Sequence, residues 1–250
     1  MKPILAFVNH KGGSGKTTSA YYVATDWAAR GIRTLAVDLD SQGTLSQRLA
    51  DASPSSREPT VAELLAATLN REVMVESPAV KVAPCMGLLP ADYRLGWVAA
   101  KMQGASPNHN ILQRALRPLL EPWDAVILDC PPSADIVIIN ALVAASHVVI
   151  CATPTPESWE GQARMRLMLA DLADSLGQAP GLLGLVATQV VERAILHRTH
   201  LRMMGDDLLG TVPLRVGVNQ GRELAAAYRP IADLLARELG LAKEAACSVG

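Results

Sequence analysis

The sequence shows no excess of charge of one sign. Its 23 lysines and arginines are balanced by 24 aspartates and glutamates, so the formal net charge at pH 7 is -1. A chain without a bulk positive field does not attract nucleic acid through its overall charge. We therefore expect any contact with DNA to come from a local patch of basic residues.

Clustered cysteines and membrane-length apolar runs are also absent. The 4 cysteines are scattered and form no C-x-x-C pair, whereas metal cages and iron–sulfur sites usually show clustered ligands. The longest apolar stretch, Ile136–Ala152, is interrupted by Asn140, Ser146 and His147. It predicts a buried helix followed by a strand, not a membrane span. The apolar run at residues 4–8 is too short for a signal peptide, so we expect a cytoplasmic protein.

Strand and helix signals alternate along most of the chain. Short apolar runs predict strands at Ile4–Val8, Arg33–Val37, Ala125–Leu128, Val148–Cys151, Leu182–Ala187 and Thr211–Val212. Longer stretches between them predict helices at Lys16–Arg30, Ile136–Ala145, Ser158–Leu176 and Tyr228–Leu239. This alternation is typical of a parallel sheet covered on both faces. We predict an α/β fold with a mostly parallel, twisted sheet and helices on both faces, forming one domain over residues 1–250, with surface loops at 51–59 and 104–110.

A glycine-rich loop lies between the first predicted strand and the first predicted helix. Residues 11–18 read K-G-G-S-G-K-T-T. Such a turn brings successive backbone N–H groups around a phosphate, and the helix that follows adds the positive end of its dipole. In this arrangement Lys16 reaches the β- and γ-phosphates and the Thr17 hydroxyl binds Mg²⁺. The loop therefore predicts nucleotide binding.

A dinucleotide-binding fold is the main competing interpretation of this loop. Gly13 and Gly15 follow a strand, and Asp38 stands at the end of the second strand, where a ribose-binding acid would lie. Thr18, however, occupies the position of the third glycine or alanine. Because the dinucleotide motif also gives Lys16 no role, we reject it.

Two further predicted strands end in acidic motifs. The second strand is followed by D-L-D-S-Q-G at residues 38–43, and the strand Ala125–Leu128 by D-C-P-P at residues 129–132. Alternation along a strand places Asp38 and Asp40 on one side, beyond the carboxyl end of the sheet, where ligands of open α/β sheets collect. An apolar strand that closes on an aspartate, here Asp129, is typical of a Walker B motif that contacts Mg²⁺.

Together these motifs resemble those of the ParA/MinD family of P-loop ATPases, and D-C-P-P resembles its ParA/Soj branch. K-G-G-x-G-K-T-T looks like the deviant Walker A motif of this family, since a strict Walker A motif would have glycine where His10 stands. D-L-D-S-Q-G is similar to the family's D-x-D-P-Q-G, with Ser41 in place of proline. The resemblance covers most of the chain and is weakest at residues 50–110. It implies a P-loop NTPase-like fold with ATP and Mg²⁺ as cofactors.

The resemblance also implies roles for individual residues. Lys11 would reach across a homodimer to the phosphates of the other subunit, and Lys16 would act within its own. Asp40 would orient the attacking water, while Thr17, Asp38 and Asp129 would hold Mg²⁺ directly or through water. The expected nucleotide-binding set is Lys11, Gly12, Gly13, Ser14, Gly15, Lys16, Thr17, Thr18 and, against the adenine, Gln189 and Pro213.

Family members use slow, partner-stimulated ATP hydrolysis as a dimerisation switch that positions DNA or a large cargo. The resemblance therefore implies non-specific double-stranded DNA and a ParB-like protein or cargo adaptor as partners, with association with the bacterial nucleoid. Candidate DNA contacts are the arginines of a C-terminal stretch with few acids: Arg193, Arg198, Arg202, Arg215 and Arg222. Arg198 and Arg202 would share one face of a helix.

Three alternatives belong to other functional classes. A MinD-like ATPase that binds membranes would end in a basic amphipathic helix, and residues 238–250 carry few basic residues. A metabolic or cofactor-assembly enzyme on the same fold usually lacks a residue like Lys11. A non-hydrolysing adaptor would have lost catalytic residues, and all of them are present. The chain also starts too close to its first strand for the N-terminal helix-turn-helix of larger ParA proteins, so we expect none.

Overall fold

Alternating strands and helices make up the part of the chain that the computed structural model describes: residues 2–50, 59–72, 79–133, 135–191, 193–215 and 220–241. The strands are β1 Ile4–Val8, β2 Thr34–Asp38, β3 Val80–Ala83, β4 Met86–Leu89, β5 Ala125–Asp129, β6 His147–Ala152, β7 Gly181–Val190 and β8 Leu208–Pro213. The α-helices are α1 Lys16–Ala29, α2 Thr44–Leu49, α3 Val61–Asn70, α4 Arg94–Gln103, α5 Ile111–Leu116, α6 Ile136–Ala144, α7 Pro156–Leu176, α8 Ile195–Met204 and α9 Gln220–Glu238.

The strands form one sheet in the order β3-β4-β2-β5-β1-β6-β7-β8. β3 runs antiparallel to its neighbour β4, and every other neighbouring pair is parallel. The carboxyl ends of β4, β2, β5, β1, β6, β7 and β8 therefore lie at the same edge of the sheet, which we call the carboxyl edge. The predicted mostly parallel sheet is confirmed.

Helices cover both faces of this sheet, as predicted. Side chains alternate along β1, which contributes Ile4, Ala6 and Val8 to a core on one face and Leu5 and Phe7 to a core on the other. The first core is closed mainly by α3, α4, α5, α6 and α7, and the second by α1 and α9. Because both faces are buried, a central strand such as β1 is apolar throughout.

Between residues 44 and 116 the structure adds elements that the sequence did not predict: α2, α3, β3, β4, α4 and α5. β3 and β4 span only four residues each, and runs this short carry little periodicity. α9 was also predicted wrongly, since it begins at Gln220, well before Tyr228. Pro230 lies inside α9, although a proline is more usual in the first turn of a helix.

The two predicted loops fall partly within the described residues. Residues 104–110 form neither helix nor strand, as predicted, and the prediction at 51–59 lies outside the described residues except for Pro59. The C-terminal segment, used above to argue against a membrane-binding helix, lies outside them from residue 242 onward. Among the described helices none is both long and apolar enough to span a membrane.

Candidate nucleotide site at the carboxyl edge

The loop between β1 and α1 has the backbone shape of a phosphate-binding turn. Gly13 and Gly15 take left-handed φ angles of 72° and 86°, which side chains rarely tolerate. A Cβ on Gly15 would also lie 2.7 Å from the Thr188 Cγ2 atom, whereas Gly12 has open space around it. The loop thus requires glycine at Gly15 for both backbone and packing.

Two side chains at the end of β7 brace this loop. The Thr188 hydroxyl donates to the Ser14 carbonyl at 2.8 Å, and the Gln189 Nε2 donates to the Gly13 carbonyl at 2.6 Å. Gln189 was proposed as a contact to adenine. In the structure its side chain bonds the loop backbone, and Gln189 itself has a φ of 54°.

The two lysines of the loop point to different surroundings. Lys16 is buried, with 6% of its surface exposed, and its Nζ donates to the Lys11 carbonyl at 3.1 Å. The Lys11 side chain reaches outward to the start of α7, where Nζ lies 3.4 Å from Thr155 Oγ1 and 3.4 Å from Glu157 Oε2. One lysine therefore stays against the loop and the other leaves it.

The acidic residues predicted to hold Mg²⁺ lie side by side at the strand ends. Asp38 and Asp129 are register partners on β2 and β5, and β5 in turn pairs with β1, which carries the loop. Asp38 accepts hydrogen bonds from Ser46 N and Oγ and from Asp40 N. Asp129 is fully buried, and neither carboxylate oxygen has a partner in hydrogen-bond geometry.

Burial raises the pKa of both carboxyl groups of this pair. Burial raises the pKa of Asp38 to about 6, although the hydrogen bonds from Ser46 oppose the rise. Burial, and then the charge of Asp38, raise the pKa of Asp129 well above its usual value, while nearby Thr17 and Lys16 act the other way. A divalent cation beside the two carboxylates would reverse both shifts.

The residues present fit Mg²⁺ bound together with phosphate. Buried oxygens left without partners include both carboxylate oxygens of Asp129 and the Ser14 hydroxyl. Among the described residues no group of three or more His, Cys, Asp or Glu could hold a metal on its own. A Mg²⁺ ion beside Asp38 and Asp129 would need Thr17 and phosphate oxygens to complete its shell.

Asp40, the predicted water-orienting residue, lies in the loop between β2 and α2. Its Oδ1 accepts the Gln42 N–H at 3.0 Å and its carbonyl accepts the Gly43 N–H at 2.9 Å. These bonds fold residues 40–43 into a tight turn. The turn therefore holds Asp40 next to the two buried carboxylates but outside the core.

A cavity of about 170 Å³ adjoins the loop at the ends of β7 and β8. Both predicted base contacts, Gln189 and Pro213, line it, together with Gly15 and Thr18 of the loop. From α9 it is lined by Gln220, Leu224 and Tyr228. The structure thus brings the predicted base-binding segments to one cavity beside the phosphate loop.

The predicted DNA-contacting arginines separate into two groups. Arg193, Arg198, Arg202 and Arg222 are exposed, and none forms an ion pair with another described residue. Arg215 is exposed as well, but it also lines the cavity and pairs with Glu223, with 2.8 Å between Nε and Oε2. Four of the five candidates therefore have no ion partner among the described residues, and one has an acidic partner.

Sequence reasoning missed several residues that position the site. Asn9 Nδ2 donates to the Cys151 carbonyl at 2.6 Å, and Asn9 Oδ1 accepts the Lys11 N–H at 3.1 Å. Ser46 holds Asp38, as described above, and the Tyr228 hydroxyl bonds Ser19 Oγ at 2.9 Å behind the loop. A polar residue such as Asn9 at the end of an apolar strand was the signal available for the first.

Comparisons with known proteins agree with this geometry. The family described as AAA domain matches residues 2–178. The chromosome partitioning protein ParA of Caulobacter vibrioides is 31% identical over 197 residues, which are 76% of this chain and 70% of that protein.

Solved structures add two similar proteins. One is cobyrinic acid a,c-diamide synthase from Mycobacterium smegmatis with a bound ATP analogue and magnesium, with a TM-score of 0.84, 28% identity and coverage of 98% of both chains. Another is a plasmid partition protein from Borrelia burgdorferi bound to AMPPNP, with a TM-score of 0.78, 21% identity and coverage of 95% of this chain and 100% of that one. The second likeness bears on the fold alone.

Proposed function

Since the chain belongs to the ParA/Soj family of P-loop ATPases, we propose that it is an ATP-dependent dimerising switch that binds non-specific double-stranded DNA in its ATP state. In this proposal one ATPase domain over residues 1–250 uses ATP and Mg²⁺ to segregate or position plasmid or chromosomal DNA, or a large protein cargo. It works in the bacterial cytoplasm, at the nucleoid, and a ParB-like protein or cargo adaptor stimulates its slow hydrolysis.

The observation that carries the proposal is the divergence of the two loop lysines. Lys16 is buried against the loop, where it reaches the phosphates of its own subunit. Lys11 stands at the carboxyl edge with its ammonium group turned outward. A single in-subunit phosphate site has no need of this second cation, but a dimer in which each subunit neutralises phosphates of the other does.

The catalytic roles follow from position at the strand ends. Mg²⁺ would neutralise charge on the phosphates, and Thr17, Asp38 and Asp129 would hold it directly or through water. Asp40 lies outside the core, where its carboxylate can orient a water. Phosphoryl transfer depends on positioning and charge neutralisation more than on covalent help, so a subunit that lacks the Lys11 of a second copy is expected to hydrolyse slowly.

Exposed apolar side chains support a dimer that covers the carboxyl edge. Large exposed hydrophobic residues follow three of the strands that end there: Tyr93 and Trp97 after β4, Val191, Ile195 and Leu196 after β7, and Leu214 after β8. Exposed apolar surface can mark an interface, and these residues lie on both sides of β1, the strand that leads into the phosphate loop. The same edge carries Lys11, so a second copy seated there would meet both.

The exposed arginines of α8 support DNA binding. α8 carries Arg198 and Arg202 one turn apart, both exposed, and contains no acidic residue. Contacts of this kind to phosphates are independent of sequence and weaken with salt. Dimerisation would present two such surfaces to one duplex, which raises the overall affinity without any new contact.

The deciding experiment measures binding to non-specific double-stranded DNA with ATP, with ADP and without nucleotide, each at two salt concentrations. We expect binding only with ATP, and a marked loss at the higher salt. Binding that is absent in all three states would contradict the DNA part of the proposal while leaving the ATPase in place.

Two variants test the switch itself. Lys11→Ala is expected to bind ATP normally but to stay monomeric, and a normal ATP dimer in that variant would refute the role of Lys11 across the interface. Asp40→Ala is expected to accumulate as an ATP-bound dimer. Rapid turnover in that variant would remove Asp40 from catalysis.

A second candidate function rests on the solved structure named as a diamide synthase, which matches 98% of this chain. In that case the chain would use ATP to convert a carboxylic acid into an amide. The DNA experiment separates the two candidates, since such an enzyme needs no ATP-dependent binding to a duplex. Turnover of ATP that requires an added carboxylic acid and a nitrogen donor, with no response to DNA, would favour the second.

A further inference from the structure

The Lys11 side chain already has partners within its own subunit. Its Nζ lies between Thr155 Oγ1 and Glu157 Oε2 at the start of α7, 3.4 Å from each. We propose that Glu157, assisted by Thr155, is a positioning residue that holds Lys11 in its own subunit until a second copy of the chain presents its bound phosphates. This inference rests on the proposed switch and deepens it by naming the contact that Lys11 must leave.

The backbone of Lys11 is fixed, so only its side chain has to move. The Lys11 N–H donates to Asn9 Oδ1 at 3.1 Å, and Asn9 is held in turn by the Cys151 carbonyl at 2.6 Å. The Lys11 carbonyl accepts the Lys16 ammonium at 3.1 Å. With both backbone groups occupied, a transfer of Lys11 to another subunit is a rotation of its long side chain and needs no refolding of the loop.

The hold on Lys11 is weak enough to be released. α7 has 21 residues, and Lys11 lies at its N-terminal end, where the helix dipole favours the Glu157 carboxylate and disfavours an ammonium group. The Lys11 and Glu157 side chains are 37% and 69% exposed, so water and salt screen their attraction. Charge-assisted bonds to phosphate are stronger, and the phosphates of a second subunit would therefore displace Glu157.

The chain offers a matched control on the same helix. Glu160 is 70% exposed, close to the value for Glu157, and pairs with Arg164 at 3.6 Å instead of with Lys11. Glu157→Gln and Glu160→Gln therefore remove the same charge from the same helix with the same change of side-chain shape. Only the first removes the ionic partner of Lys11.

The first measurement needs neither nucleotide nor dimer. Nucleotide-free protein is treated with a small amine-acetylating reagent, and the rate of modification of Lys11 is followed by peptide mass spectrometry. We expect Glu157→Gln to raise this rate about two- to fivefold, in line with the strength of an exposed ion pair, and Glu160→Gln to leave it unchanged. Equal rates in wild type and Glu157→Gln would overturn the proposal.

The second measurement is the dissociation constant of the dimer by sedimentation, with Mg²⁺ and a slowly hydrolysed ATP analogue. Two Lys11 side chains are released per dimer, so the single-site effect is squared. We expect Glu157→Gln to lower the constant about 4- to 25-fold at low salt, by a smaller factor at high salt, and Glu160→Gln to leave it unchanged. An unchanged or raised dissociation constant in Glu157→Gln would overturn the proposal, because Glu157 would then not compete with the phosphates of the second subunit for Lys11.

Failure of the proposed function remains distinguishable from failure of this inference. A wild-type protein that stays monomeric with the analogue at every concentration would refute the switch, and with it the movement of Lys11 from Glu157 to the second subunit. A wild-type dimer that Lys11→Ala abolishes, combined with no effect of Glu157→Gln in either measurement, would leave the switch in place and refute the hold by Glu157 alone.

Discussion

The phosphate side and the basic side of the carboxyl edge differ in what surrounds their polar groups. Around β1, β2 and β5, Lys16, Asp38 and Asp129 are buried, and the Asp129 oxygens lack partners. Around α8, Arg198 and Arg202 lie in solvent with no ion partner among the residues described. In the first region the charged groups are buried in a shaped site. In the second they form an exposed, positively charged surface.

The difference predicts how each region responds to change. In a buried site with unpaired groups, each interaction with a ligand is strong and each misplacement is costly. On an exposed surface, single contacts are weak, additive and screened by salt. Substitutions on the phosphate side should therefore act on nucleotide binding and stability in large steps, and those on the basic side on DNA binding in small ones.

Lys16→Ala should have the largest effect, a loss of nucleotide affinity of at least about 100-fold, because a buried ammonium bonding phosphate makes more than one charge-assisted hydrogen bond. Calorimetric titration with an ATP analogue measures it. Lys101→Ala, on the exposed last turn of α4, is the control and should bind as wild type. Near-normal affinity in Lys16→Ala would mean that the phosphates lie elsewhere.

Gly15→Ala should lower the free energy of unfolding by about 2 to 3 kcal/mol, because it combines left-handed backbone strain with a clash against Thr188. Gly12→Ala, which has open space around its Cβ, should cost about 1 kcal/mol or less. Urea unfolding of the nucleotide-free variants gives both values. Equal costs would show that Thr188 does not pack against the loop.

Arg198→Ala combined with Arg202→Ala should weaken ATP-dependent DNA binding at least about tenfold and reduce the salt slope by about 4, because the dimer loses two phosphate contacts in each subunit and each contact contributes about one unit. Arg215→Ala should leave the slope nearly unchanged, since Arg215 pairs with Glu223 beside the cavity. Fluorescence anisotropy at several salt concentrations checks both. A reduced slope in Arg215→Ala would place DNA contacts at the cavity and erase the distinction between the two regions.

Asp129→Asn is the exception on the phosphate side, since in the nucleotide-free protein it should change stability by the smallest amount, and in the opposite direction. Without nucleotide it removes a buried unpaired carboxyl beside Asp38, so we expect a gain of about 1 kcal/mol, or a melting temperature higher by about 2 to 4 °C. The same variant should lose Mg²⁺-dependent strengthening of ATP binding. A lower melting temperature would mean that the Asp129 carboxyl already has stabilising partners within the nucleotide-free protein.

The phosphate side could be predicted from sequence because its chemistry lies in contiguous motifs. Lys11 to Thr18, Asp38, Asp40 and Asp129 each follow a short apolar strand, and parallel pairing brings such strand ends together whatever lies between them. The register of Asp38 with Asp129 follows from that rule. For the same reason both ends of β1, β2 and β5 were predicted to within one residue.

Other features depend on contacts between distant segments, which no local pattern encodes. The brace from Thr188 to Ser14 joins residues 174 positions apart, and the contact between Lys11 and Glu157 joins residues 146 apart. β3 and β4 were missed because four-residue strands carry almost no periodicity. The pairing of Arg215 with Glu223 beside the cavity depends equally on a contact between two segments.

Ser46, which belongs to none of the sequence motifs, connects Asp38 to the segment after a neighbouring strand by hydrogen bonds. Its hydroxyl donates to Asp38 at 2.7 Å and accepts the Ala91 N–H at 3.0 Å. The Ser46 side chain thus links the carboxyl end of β2 to the segment that follows β4. Through Ser46 the buried Asp38 carboxylate is therefore joined by hydrogen bonds to the segment that leads into α4, the helix at whose start the rings of Tyr93 and Trp97 lie 5.3 Å apart.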